Sequence, residues 1–146
     1  MKIYLDACCF NRPFDDQRQN RIRLESEAII LIMDRMHNKE WEWVGSDVLT
    51  AELENTPDIE KRHYLMELAE WVHLHVELTE DVVARAMELE QSGLKSFDAM
   101  HVACAESANA DVFLTTDDKL LRTALREGDN LHITIANPLS WLTERL

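Results

Sequence analysis

Short alternating apolar segments in this chain are separated by stretches of ten or more residues with helical periodicity, and this interleaving restricts the fold more than any other feature. Residues 2–6 (KIYLD), 41–45 (WEWVG), 73–78 (HLHVEL), 112–115 (VFLT) and 132–136 read as strands. Strands that rejoin a sheet through a helix pair in parallel, and a parallel sheet needs both faces covered. The expected fold class is therefore α/β, a three-layer α/β/α sandwich around a central, mostly parallel sheet.

A loop with Asn11, Pro13 and Asp15-Asp16 is expected after the first strand. A helix is expected over 21–38, where Ile22, Ile29, Ile30, Ile32, Met33 and Met36 recur at helical spacing. Ser46 is expected to cap a second helix bearing Val48, Leu49, Glu52 and Leu53, closed by Pro57. Residues 58–71 form a third, with Ile59, Tyr64, Leu65, Leu68 and Trp71 as its buried stripe. Thr79 opens a fourth that ends at Gly93. Ser96 caps a fifth, whose Phe97, Met100, Val102, Cys104 and small Ala99, Ala103 and Ala105 suit close packing on a sheet. A sixth runs to about residue 126, and Asn137-Pro138 starts the last.

With 146 residues, 46% of them apolar, the chain builds one core, so residues 1–146 are expected as a single domain. The longest apolar run, residues 28–33, is far short of the roughly 20 residues of a membrane span. The N-terminus enters a strand at once and lacks a signal-peptide pattern, so the cytoplasm is the expected location. Cys8, Cys9 and Cys104 are odd in number with no C-x-x-C pair, and read as reduced thiols rather than a disulfide frame or a zinc site.

The net charge of −13 is unlike a nucleic-acid binder, but it is unevenly spread. Residues 1–24 carry five basic and three acidic groups, residues 25–91 five and 17, and residues 92–146 five and eight, so the charge divides into +2, −12 and −3. Tight nonspecific binding to nucleic acid is not expected.

In parallel sheets ligands bind beyond the C-terminal strand ends, which selects Asp6 and Asp117. Glu52 and Asp98 lie on helices that can reach the same cleft. Two bare carboxylates about 4 Å apart repel by roughly 4 kcal/mol at an effective dielectric near 20. Four together need a cation, and a hard oxygen set favours Mg²⁺ or Mn²⁺, ions suited to phosphate chemistry. Each member also has a purely structural reading. Asp98 suits an early helical turn, Asp117 or Asp118 a helix cap, and Glu52 a solvated face shared with Glu54.

The segments IYLDACCFNRPFDD, SDVLTAELENT and SFDAMHVACAESANADVFLTTDDKLL resemble the PIN-domain family over essentially the whole chain. The family pattern is an Asp closing the first strand, a Glu in an E-L pair, an Asp opening a D-A-x-x-x-A-x-A helix, and a strand ending in T-x-D. These fall on Asp6, Glu52, Asp98 and Thr115-x-Asp117. The resemblance implies a Mg²⁺- or Mn²⁺-dependent endoribonuclease, often the toxin of a toxin–antitoxin pair as in the VapC group, acting as a homodimer. It makes Asp6, Asp98 and Asp117 metal positions assisted by Glu52, with Thr115 and Asp118 supporting. Where many members carry Ser or Asn two residues after the first Asp, this chain has Cys8.

Arg12, Arg18, Arg21 and Lys119 are candidate RNA contacts, alongside Arg23 and Arg122. His101, one turn after Asp98, reads either as a core histidine or as a neighbour of the metal. The four tryptophans read as core or interface rather than as base-stacking platforms. A haloacid-dehalogenase-like phosphatase would need a second Asp at position 8, which is Cys. A PIN-like module with weak or no catalysis, serving in binding or assembly, is the alternative reading.

Overall fold

The computed structural model describes residues 1–146. Strands β1 (Lys2–Leu5), β2 (Glu42–Ser46), β3 (Leu74–Val76), β4 (Val112–Leu114) and β5 (Thr134–Ala136) form one sheet, ordered β3-β2-β1-β4-β5. Every pairing is parallel, and Ile3 of the central strand lies between Trp43 and Val112. Around the sheet run α1 (Ala7–Asn11), α2 (Asn20–His37), α3 (Asp47–Glu54), α4 (Ile59–Ala69), α5 (Glu80–Gln91), α6 (Ser96–Ser107), α7 (Asp118–Arg126) and α8 (Pro138–Thr143).

Because side chains alternate along a strand, the sheet feeds two cores. Ile3, Leu5, Trp43, Val112 and Leu114 face α1, α2 and α8, where Phe10, Ile29, Ile32, Met36 and Trp141 are buried. Tyr4, Val44, Phe113 and Val76 face α5 and α6, against Val82, Leu89 and the small Ala99, Ala103 and Ala105. The alanines let α6 lie close to the sheet, which brings its first turn to the strand ends.

Polar residues at or just past strand ends cap the next helix. Asp6 caps α1, Ser46 caps α3, Thr79 caps α5, Asp117 caps α7 and Asn137 caps α8. These helices therefore aim their N-termini, the positive ends of their dipoles, at the edge where strands finish. The chain passes outward from β1 to β2 and β3, then returns to β4 on the other side of β1. The resulting switch point lies beyond β1 and β4, the place where such sheets hold ligands.

Three local expectations are corrected. Residues 7–14 are a one-turn helix, α1, followed by a 3-10 turn at Arg12–Phe14, rather than plain loop, because Asp6 supplies an N-cap. On α4 only Leu65 is buried. Ile59, Tyr64 and Trp71 are exposed, the two aromatics resting on Phe14 and His37 along a surface groove of about 300 Å³. Ser96 is the first residue of α6 and Lys95 takes the cap position without a side-chain bond, which turns Phe97 outward. No helix is long and apolar enough to cross a membrane.

Candidate metal centre

Asp6 extends the central strand by one bond, its N–H reaching the Leu114 carbonyl at 3.0 Å, and is then buried at the switch point. Its Oδ1 accepts from the Ala7 N–H at 2.8 Å, and Oδ2 accepts from Thr115 Oγ1 at 2.8 Å. Burial pushes this carboxyl above its usual range; His101 and Thr115 partly oppose that. Thr115 Oγ1 also accepts from the Asp117 N–H at 3.1 Å, so one hydroxyl ties the first acidic position to the last.

Cys8 occupies the place of the family's Ser or Asn. Its Sγ lies 3.4 Å from Asp6 Oδ2 and 3.3 Å from Thr115 Oγ1, and accepts from the Thr116 N–H at 3.3 Å. A thiol is a weaker donor than a hydroxyl, but it makes these contacts in the same place.

Glu52 arrives on α3, held by Ser46, whose Oγ accepts from the Leu49 N–H at 3.0 Å. Glu52 Oε2 is buried without a hydrogen-bond partner, and so is Nε2 of the fully buried His101; the two atoms are 3.3 Å apart. On its other side His101 Nδ1 is 2.7 Å from the Tyr4 hydroxyl, which is 2.6 Å from Ser46 Oγ. Burial alone disfavours the imidazolium, but contact with Glu52 and the charges of Asp6 and Asp98 outweigh it and raise the pKa. One ligand atom each from Asp6, Glu52 and His101 lie within 4.8 Å of one another.

Asp98 and Asp117 stand outside that closest trio but within its field. Asp98, in the first turn of α6, has its carboxyl pushed up to about 6, by burial first and then by Asp6 and Asp117. Asp117 caps α7 through Oδ1 alone, accepting from the N–H groups of Lys119 (2.9 Å) and Leu120 (3.3 Å). The cap reading is thus observed, and Oδ2 takes no part in it. The donor set fits a divalent cation, since two carboxylates and an imidazole lie within 4.8 Å of one another and two of their atoms, Glu52 Oε2 and His101 Nε2, are buried without a hydrogen bond.

Other expected residues lie around this centre in different states. Asp118 is clasped by Arg21, with two contacts of 2.7 Å, and does not face the trio. Arg12 is only 18% exposed and pairs with Asp15 and the buried Glu25, which also takes Arg21 Nε at 3.2 Å. Arg18 folds onto Asp16. Lys119 makes no ion pair and lines a small cleft with Asp98 and Lys95. Lys95 was not singled out by its sequence surroundings, and only the turn before α6 brings it there. His101 had one sequence signal, its place one helical turn after Asp98.

The PIN domain family model matches residues 3–126, most of the chain. The chain belongs to the PIN-domain family. A chain in the structure of FitAcB from Neisseria gonorrhoeae superposes with TM-score 0.62 and 16% identity, over 93% of this chain and 97% of that one. VapBC-1 from nontypeable Haemophilus influenzae gives TM-score 0.59 and 16% identity, over 94% and 98%. VapBC2 from Rickettsia felis, bound to a DNA fragment from the promoter, gives 0.58 and 16%, over 92% and 98%. No curated protein matches the chain by sequence. At this identity the structural likeness establishes the PIN fold, with the three-layer parallel architecture described above.

Proposed function

We propose that this PIN domain is a metal-dependent endoribonuclease that hydrolyses phosphodiester bonds in RNA with Mg²⁺ or Mn²⁺. The observation that carries the reading is the grouping of Asp6 and Glu52 with His101 within 4.8 Å at the switch point, with Asp98 raised to about 6 by burial first and then by the nearby charges of Asp6 and Asp117. A divalent ion in that position supplies charge that polarises a phosphoryl oxygen and acidifies the attacking water. Asp6, Asp98 and Asp117 would hold the ion with Glu52 assisting, and whichever of the four does not touch it directly would accept the proton of the water. Thr115 keeps Asp6 and Asp117 in register. Lys95 and Lys119, beside Asp98, draw the RNA phosphate to the cleft.

The fold shared with chains of FitAcB and VapBC structures supports a further reading, in which the chain is the toxin of a toxin–antitoxin pair, bound by an antitoxin and paired as a homodimer in the cytoplasm. The test of the enzymatic reading is cleavage of labelled RNA with Mn²⁺, with Mg²⁺ and with EDTA, by the wild type and by Asp98→Asn. Metal-dependent cleavage that the variant loses while staying folded supports it. A wild type inert with both ions, or a variant as active as the wild type, leaves the non-catalytic PIN module as the better account.

A further inference from the structure

The metal-centre reading above is built on carboxylates, yet the closest-set ligand trio contains a nitrogen. We infer that His101 is a direct ligand through Nε2, which makes this a mixed nitrogen and oxygen site that prefers Mn²⁺ to Mg²⁺. The inference rests on the metal-dependent reading and adds a ligand and a selectivity to it.

Three observations carry it. His101 is fully buried, and Nε2 has no hydrogen-bond partner although it is aimed at the acidic cluster. A buried imidazole nitrogen without a hydrogen bond is costly, and a cation that accepts its lone pair removes that cost. Glu52 Oε2 lies 3.3 Å from Nε2, at ion-pair distance, and neither atom has an aligned hydrogen bond. Ligands at about 2.1 Å from one octahedral ion stand about 3 Å apart when adjacent and about 4.2 Å when opposite. The 3.3 Å separation is that of adjacent ligands on one ion, and Asp6, Glu52 and His101 each offer an atom within 4.8 Å of the others, so a small inward shift brings all three to a common ion.

The far side of the ring supports the same assignment. A histidine that ligates through Nε2 carries its hydrogen on Nδ1 and needs an acceptor there. Tyr4 Oη, at 2.7 Å, is that acceptor, and its own hydrogen passes to Ser46 Oγ at 2.6 Å. Ser46 is anchored in turn, because it caps the helix that bears Glu52. Ring orientation and Glu52 are thus set by one serine. Imidazole suits transition ions, whereas Mg²⁺ keeps oxygen ligands and water, so the nitrogen discriminates between them.

The experiment uses the full chain stripped with EDTA, titrated calorimetrically with Mn²⁺ and with Mg²⁺, and the Mn²⁺ form examined by pulsed electron paramagnetic resonance for nitrogen coupling. The expected wild-type spectrum shows coupling to one directly bound ¹⁴N. His101→Asn keeps a polar atom beside Tyr4 but loses the Nε2 donor; it should lose the coupling and bind Mn²⁺ on the order of 10–100-fold more weakly, with Mg²⁺ affinity hardly moved. His101→Gln places an amide oxygen near the Nε2 position and should recover part of the Mn²⁺ affinity without a nitrogen signal. Mn²⁺ bound without nitrogen coupling, or unchanged Mn²⁺ affinity in His101→Asn, overturns the assignment and leaves the carboxylate site standing. A wild type that binds neither ion overturns both. Should His101→Asn fail to fold, the wild-type spectrum alone decides.

Discussion

Replacing Asp98 by Asn should stabilise the metal-free protein at neutral pH, although it removes a charge from the reacting centre. In the fold this carboxyl is raised from 3.8 to about 6 by burial and by Asp6 and Asp117. A carboxyl whose folded pKa lies above its unfolded one favours folding when protonated, below about pH 4. That contribution is lost as pH rises through about 6. At about 1.36 kcal/mol per pKa unit, the ceiling on the lost stability is about 3 kcal/mol. Asp98 is partly open to solvent, and Asn carries its own desolvation cost, so a net gain of about 1–2 kcal/mol above pH 7 is expected. For a domain of this size that is roughly 2–8 °C in Tm. Thermal melts of both proteins in EDTA should nearly coincide near pH 4, separate between about pH 4 and 6 and keep that gap to pH 7.5, with Asp98→Asn higher. Adding Mn²⁺ should raise the wild type and close or reverse the gap, because the ion binds only the native cleft. A separation that does not change with pH, or a less stable variant at pH 7.5, would refute the argument that Asp98 lies in a repulsive cluster.

Glu25, 1% exposed, holds Arg12 and Arg21 and accepts from Asn137 Nδ2 at 2.6 Å. Glu25→Ala should cost about 3 kcal/mol in urea unfolding by removing the buried carboxylate that Arg12 and Arg21 share, leaving the largely buried Arg12 with Asp15 alone; a cost under about 1 kcal/mol would mean the network relaxes freely. Replacing Lys95 and Lys119 together by Ala should weaken RNA binding across sequences and flatten its salt dependence by about two units of slope, with Mn²⁺ affinity unchanged. An equal effect from Glu67→Gln with Glu70→Gln, on α4, would place the substrate elsewhere.

The layer order and parallel pairing were legible because strand and helix periodicities differ and each was sustained. The places of Asp6 and Asp117 just past strand ends and of Asp98 in a first helical turn were legible because strand ends and helix starts are local features. Tyr64 and Trp71 misled the reading of α4, since apolar spacing on a helix does not distinguish a core from the rim of a surface groove. Arg12 and Arg21 sit in a basic stretch, but Glu25 meets Arg12 only once α2 packs on the 3-10 turn before it, and Asp118 meets Arg21 from 97 residues away. The environment of His101 depends on Tyr4 and Ser46, 97 residues from one and held to it by strand register, a relation that no window of sequence displays.

The bond between Thr115 and Asp6 joins residues 109 apart in the chain. Because β4 pairs with β1 directly, the first strand synthesised waits for nearly the last to finish its edge. A polypeptide ended before β4 can still bring Tyr4, Ser46, Glu52 and His101 side by side, but it lacks the strand that seats Thr115 and Asp117 next to Asp6. The last acidic position therefore joins the others only when β4 closes onto β1.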